Sequence, residues 1–306
     1  MSQTQAILLM GATATGKTDL AVKLVQNFPV ELISVDSALI YKDMNIGTAK
    51  PEPEVLAKAP HHLIDIIDPA QSWSAWEFVN QATRLIHDIN RRGKIPLLVG
   101  GTMMYFNALE QGLNDLPMAD EAIRAALNVR LQQEGLPLLY EELIQLDAET
   151  AARVKPTDPQ RILRALEVYQ LTGQPLSRLL KKEKARSDID FKRIILDVSE
   201  RSELHERIER RFSLMLEQGF EQEVKVLHDR GDLNLQMPSM RCVGYRQMWE
   251  YLDGNLSHEE MVFKSVVATR QLAKRQLTWL RKYEQVKRLD YRSYAFKDIS
   301  NYLNFV

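Results

Sequence analysis

Cysteine is almost absent from the 306 residues: Cys242 stands alone, which excludes an internal disulfide and a cysteine-built zinc site. Long apolar runs are missing as well. The opening stretch, MSQTQAILLMGATATGKT, has no basic leader and too short an apolar run for a signal sequence or a membrane span, so a cytoplasmic protein is expected. Glycine and proline, 13 and 12 in number, are scattered without repeat or low-complexity tract, which excludes collagen-like, solenoid and largely disordered chains. Nothing signals self-association, and a monomer is expected. Excess basic charge is lacking too, since the net charge is −1. That total hides a division. Residues 109–150 hold nine acidic and two basic side chains, whereas 261–292 hold nine basic and two acidic, so a basic patch for nucleic acid is expected in the second segment.

What is present reads first as an α/β core. Ala6–Met10 is a short apolar run ending in a glycine-rich turn, followed by a helix over Lys17–Asn27 that Pro29 ends. Val30–Val35 is a second strand closing on Asp36, and His62–Ile67 is a third before Asp68-Pro69. Ser74 to Glu77 is a capping box opening a helix to about Arg92, and Ile95–Val99 is a further strand leading into Gly100-Gly101-Thr102. Such alternation predicts a parallel sheet with helices on both faces. From about Leu116 helical punctuation replaces strands: Asp120 caps a helix ending near Gly135, and Asp158-Pro159 opens one ending before Gly173. Lys181–Asp190 reads as a solvated polar linker, after which Arg193–Val198 restores strand character and Leu204–Gln218 begins a run of amphipathic helices. The expected organisation is a P-loop core in 1–115, a helical insert in 116–191, and core completion with a basic region in 192–306.

The strongest chemical signal is Gly11, Ala12, Thr13, Ala14, Thr15, Gly16, Lys17 and Thr18, a complete G-x-x-x-x-G-K-[ST] loop between a strand and a helix. Its amides, the helix N-terminus and Lys17 suit a diphosphate or triphosphate, and Thr18 can ligate Mg2+. No apolar strand ends in the Asp-Glu pair that an ATPase uses to orient water. A lone carboxylate, Asp36, stands instead at the end of the second strand, where open α/β sheets place ligands. The adjacent His61 and His62 lack a third ligand and point to opposite strand faces, which argues against a metal site.

Seven blocks, in order, carry a family resemblance: Gly11–Thr18; Ile33–Tyr41; Asn45–Pro51; Leu97–Thr102; Asp158–Val168; Arg241–Arg246; and Lys274–Arg281. Together they resemble the tRNA dimethylallyltransferases of bacterial type, also called tRNA isopentenyltransferases, over nearly the whole chain. Ala12 and Thr15 depart from the commonest family loop, which has proline and serine there. The resemblance implies dimethylallyl diphosphate as donor, magnesium as cofactor, and N6 of the adenosine 3′ of a tRNA anticodon as acceptor. An exocyclic amine must shed a proton as its new bond forms, so Asp36 is expected to be the general base. By resemblance Thr102 lies near the reacting centre, although it could equally cap the helix that it opens. Arg211, four residues after Arg207 on the predicted helix, resembles the family arginine that contacts the departing diphosphate.

The acceptor base must leave its stack to meet such a carboxylate. For tRNA contact the resemblance implies Asp36, Ser37, Ala38, Leu39 and Thr102; Arg124; Gln160, Arg161, Ile162, Leu163 and Arg164; Arg241, Cys242, Val243, Gly244, Tyr245 and Arg246; and Lys274, Arg275, Gln276, Leu277, Thr278, Trp279, Leu280 and Arg281. Trp279, among arginines, could stack a base, but the amphipathic pattern favours its burial in the core. Two other readings share the phosphate loop: a small-molecule kinase, which does not need the basic segment, and an RNA-binding NTPase, which the missing Asp-Glu strand end disfavours.

Overall fold

The structure, a computed structural model, describes residues 4–181 and 187–303. Its first half alternates β1 (Gln5–Gly11), α1 (Lys17–Asn27), β2 (Val30–Val35), α2 (Pro53–Lys58), β3 (His61–His62), α3 (Ala75–Arg91), β4 (Ile95–Gly100) and α4 (Met103–Gln111). Five helices follow: α5 (Glu121–Glu134), α6 (Leu136–Leu146), α7 (Ala148–Arg153), α8 (Pro159–Thr172) and α9 (Leu176–Leu180). The chain then forms β5 (Asp190–Asp197), α10 (Arg201–Glu217), α11 (Phe220–His228), α12 (Tyr245–Leu252), α13 (His258–Leu280), β6 (Lys287–Asp290) and α14 (Phe296–Leu303). Two compact units result, Met1–Glu110 with Asp188–Val306, and Gln111–Ser187.

In the first unit all strand pairs are parallel, in the order β3-β2-β4-β1-β5-β6. The alternation of β1 sorts its side chains between two layers. Ala6, Leu8 and Met10 pack with Phe78, Ile86 and Phe106 from α3 and α4, while Ile7 and Leu9 pack with Leu20, Leu24 and Ile299 from α1 and α14. Each fully buried leucine is worth about 2 kcal/mol of transfer free energy. Ser74 and Glu77 form the expected capping box, with reciprocal bonds of 3.2 and 2.6 Å, and the stripe Phe78, Ala82, Ile86 and Ile89 holds α3 to the sheet. A third apolar cluster joins Tyr41 and Met44 to Ile208, Phe212, Phe220, Tyr245 and Met248, so α10, α11 and α12 pack against the chain that leaves β2. Among the described residues no helix is long and apolar enough to cross a membrane.

The third strand is shorter than the alternation suggested. It pairs with β2 only at His61 and His62, because Leu63 and Asp65 take left-handed backbone (φ 63 and 55°) and turn the chain out of the sheet; a single bridge, Tyr41 to Ile67, remains beyond them. His61 bonds the Ala59 carbonyl and His62 faces Glu31, and no group of three metal-ligating side chains exists among the described residues.

The second unit is helical throughout. Asp120, Asp147 and Asp158 cap α5, α7 and α8 by accepting from Ile123, Thr150 and Arg161, each contact being worth about 1 kcal/mol. Leu127, Leu139, Leu143, Ile162 and Leu166 form its core. Its ends lie at 111 and 187 rather than 116 and 191. The later boundary moves because Ile189 is buried under the sheet and Asp190 already pairs with Gln5. The linker reading of 181–190 therefore fails at its end; residues 182–186 lie outside the described residues.

Candidate active site

Three strands of the sheet end together. Gly100 lies opposite both Val35 and Met10 in the ladder, so the phosphate loop after β1, Asp36 after β2 and Thr102 after β4 emerge side by side at the carboxyl edge. Close approach fixes the sequence there: a Cβ at Gly100 would fall 2.0 Å from the Val35 carbonyl oxygen. Thr102 in turn donates its amide to Val35 O at 3.2 Å, and its Oγ1 accepts from the Ser37 amide at 3.1 Å. Asp36 Oδ1 accepts from the Ala38 amide at 2.9 Å, which closes a tight turn and fixes the carboxylate.

Within the phosphate loop, Thr15 Oγ1 and Lys17 Nζ both donate to the Ala12 carbonyl, at 2.9 and 2.6 Å. Ala14 is held in the left-handed region at φ 63°, a conformation that costs a non-glycine residue about 1–2 kcal/mol. Outside groups hold the bend. Arg207 Nε donates to Ala14 O at 2.7 Å while its guanidinium lies 4.6 Å from the Tyr291 ring centre, and Arg211 Nη1 reaches Thr13 Oγ1 at 3.3 Å. The two arginines, one turn apart on α10, thus brace consecutive loop residues. Gly16 precedes α1, whose first turn carries the exposed hydroxyl residue Thr18.

The charges here are coupled. Burial pulls the Lys17 ammonium down to about 8, against the attraction of Asp36 and with the repulsion of Arg211. Burial likewise lifts Asp36 above the usual carboxylate range, although the Ala38 amide and Lys17 oppose it, and it lowers Arg211. A carboxylate lifted towards neutrality is a stronger base, and cations short of counter-charge favour an anionic ligand. Cys242, Tyr41 and Tyr105 feel one another or the Asp36 charge and are themselves pushed up by burial, Cys242 to about 12.

The residues expected to meet RNA divide by exposure. On α13, Lys274, Arg275 and Thr278 face outward, as does Arg281 at its C-cap, and Lys274, Arg275 and Arg281 have no ion-pair partner among the described residues, whereas Arg270, Arg288 and Arg292 are tied to Glu209, Asp197 and Glu203. Trp279 is 36% exposed with Lys282 4.8 Å from its ring centre, which corrects the expectation of core burial. The register explains it: Ala273, Gln276 and Leu280 take the inner stripe, with Leu277 partly buried beside it. Arg241 is exposed, and Arg246 is exposed but paired with Glu250. Tyr245 is fully buried, Gly244 is buried, and Cys242 and Val243 are half-buried. Ser37 is exposed, and Ala38 and Leu39 are half-buried.

In the helical unit, Gln160 and Arg161 are exposed and Arg161 is held by Asp158, while Ile162 is core and Leu163 packs against it. Arg124 and Arg164 do not simply face solvent. Both bind Glu167, a carboxylate only 1% exposed, at 2.9 and 2.7 Å, and Arg164 also donates to Pro117 O.

Three contributors escaped sequence reasoning. Arg207 was visible only as a member of an i, i+4 pair. Gln276 stood inside an RNA-binding block but sits on the buried stripe of α13; a glutamine at that register was the available signal. Glu223 accepts from the amides of Asn45, Ile46 and Gly47 and from the Tyr245 hydroxyl at 2.5–3.1 Å, joining two of the seven blocks, and nothing in the sequence pairs it with them.

Comparison with known proteins agrees with this geometry. The family model described as IPP transferase matches residues 39–283, and one described as isopentenyl transferase matches residues 4–67. The full-length tRNA isopentenylpyrophosphate transferase of Bacillus halodurans is 38% identical, with 99% of this chain and 95% of that one covered and a TM-score of 0.70. The tRNA delta(2)-isopentenylpyrophosphate transferase of Staphylococcus epidermidis is 32% identical, covering 98 and 99% at a TM-score of 0.68. A eukaryotic dimethylallyltransferase acting on tRNA is 28% identical, covering 94% of this chain and 74% of its own at a TM-score of 0.79. With its phosphate loop, strand-end carboxylate and basic helix, this chain belongs to the IPP transferase family, the prenyltransferases that modify tRNA.

Proposed function

We propose that the enzyme transfers the dimethylallyl group of dimethylallyl diphosphate to N6 of the adenosine 3′ of the anticodon in tRNA. The observation that carries this reading is the meeting of the phosphate loop with Asp36 and Thr102 at one sheet edge. The N6 lone pair attacks C1 of the allyl group, the C1–O bond breaks, diphosphate leaves, and Asp36 accepts the N6 proton. Lys17, the loop amides and Arg211 oppose the charge gathering on the leaving group, an interaction stronger in the transition state than before it. General-base help is worth about 10²–10⁴ in rate.

Magnesium fits this reading. Thr18, exposed in the first turn of α1 beside the phosphate loop, would hold the ion together with the bound diphosphate and water, the oxygen ligands that this hard cation prefers. When bound, it neutralises charge on the leaving diphosphate. For RNA, the outward cations of α13 would meet backbone phosphates of the anticodon stem-loop, with the acceptor adenine drawn out of its stack. The reading takes the enzyme to be a cytoplasmic monomer.

The test is incubation with unmodified tRNA and radiolabelled dimethylallyl diphosphate, beside labelled ATP. Label entering RNA from the first alone is expected. Transfer of the ATP phosphate to a small acceptor, with none from the allylic donor, would replace this reading with a kinase.

A further inference from the structure

Gln276 is only 8% exposed, on the inner stripe of the helix whose outer face carries Lys274 and Arg275. Its amide is used at both ends. Oε1 accepts from the Thr13 amide at 2.8 Å and Nε2 donates to the Gly101 carbonyl at 2.9 Å. Thr13 lies in the phosphate loop, and its hydroxyl holds Arg211; Gly101 immediately precedes Thr102, whose hydroxyl holds the turn carrying Asp36. One side chain therefore joins the donor loop to the acceptor loop.

Space-filling does not account for it. Leucine or methionine would occupy the same volume, whereas an amide brings two polar groups that are costly to bury without partners. Gly101 is shaped to the contact, because a Cβ there would stand 2.4 Å from Nε2. Main-chain groups of the two loops are what the amide recognises.

We infer that Gln276 is a positioning residue that locks the diphosphate loop and the Thr102 loop in one register, so that donor carbon, acceptor amine and Asp36 align. The inference rests on the transfer reaction proposed above. Misalignment of reacting groups by about 1 Å can cost about 100-fold in rate.

Two substitutions separate the possibilities. Gln276→Met keeps volume and removes both bonds; Gln276→Glu keeps the acceptor for Thr13 and sets an oxygen against the Gly101 carbonyl. Single-turnover rates would be measured at saturating tRNA and donor, beside the dissociation constant of each and the thermal midpoint. The expected result is a rate reduced about 10- to 100-fold in both variants, with tRNA affinity within about twofold of wild type. A merely structural residue would lower the midpoint and both affinities without a separate loss of the saturated rate. Gly101→Ala supplies an independent probe: its rate defect should be largely non-additive with that of Gln276→Met, because both act on one contact. Saturated rates within about threefold of wild type in both Gln276 variants, or a defect confined to tRNA affinity, would overturn the inference. Loss of the midpoint in Gln276→Met with a wild-type rate in Gln276→Glu would overturn it too. If wild type itself transfers no allyl group to tRNA, the proposed function fails instead, which the same assay reveals.

Discussion

The Thr102 hydroxyl accepts a hydrogen bond from the Ser37 amide at 3.1 Å, so the loop after β4 fixes the backbone immediately beyond Asp36. This gives Thr102 a role besides opening α4. Thr102→Ser keeps the acceptor and should retain turnover within about twofold, whereas Thr102→Ala removes it and should lower turnover about fivefold or more, in line with the roughly 1 kcal/mol or more carried by one hydrogen bond. Equal turnover of the alanine and serine variants in single-turnover assays would show that the bond does not guide Asp36.

Asp36→Asn preserves size and one oxygen but cannot accept the N6 proton. Turnover should fall about 10²–10⁴-fold with donor and tRNA affinities little changed. Because burial lifts Asp36, the wild-type rate should show an acidic limb above the ordinary aspartate range near 4, with activity lost as pH falls through it. That limb should vanish in the asparagine variant. A strong loss of tRNA affinity with normal saturated turnover would make Asp36 a reader of the base.

Burial holds the Lys17 ammonium down at about 8. Diphosphate favours the charged form and raises this value, so donor affinity should be greatest below pH 8 and weaken about tenfold per unit above it, until the bound-state value is reached. Asp36→Asn removes a charge that supports the ammonium and should move this decline to lower pH. Lys17→Ala should abolish the pH dependence and lower turnover at saturating donor; calorimetric titration across pH 7–10 and single-turnover kinetics check both. Wild-type turnover in Lys17→Ala would confine Lys17 to binding.

On α13, Lys274 and Arg275 have no carboxylate partner among the described residues, so each can release a counterion on meeting a phosphate. Removing either should reduce the slope of log affinity for tRNA against log salt by about one unit, with donor affinity unchanged. Filter binding at several salt concentrations measures it; unchanged slopes in both variants would place the RNA elsewhere.

What the sequence by itself determined is whatever local rules govern. The phosphate loop, the strand end at Val35, the capping box at Ser74 and the helix boundaries at Asp120 and Asp158 depend on neighbours within a few residues, and they stand where the residues place them, with β4 running one residue past Val99 to Gly100. The third strand fell short of its alternation because Leu63 and Asp65 take left-handed backbone and the Asp65 and Ile66 amides bond the Leu39 and Ile40 carbonyls, pairing that no local alternation records. Which face of a helix is buried is a tertiary decision, because a shift of one residue turns the stripe by 100°. That decision put Trp279 outside and Gln276 inside. Contacts such as Gln276 to Thr13, 263 residues apart, or Glu223 to the Asn45–Gly47 amides, leave no local trace, since a buried amide or carboxylate is specified only by the groups that folding brings to it.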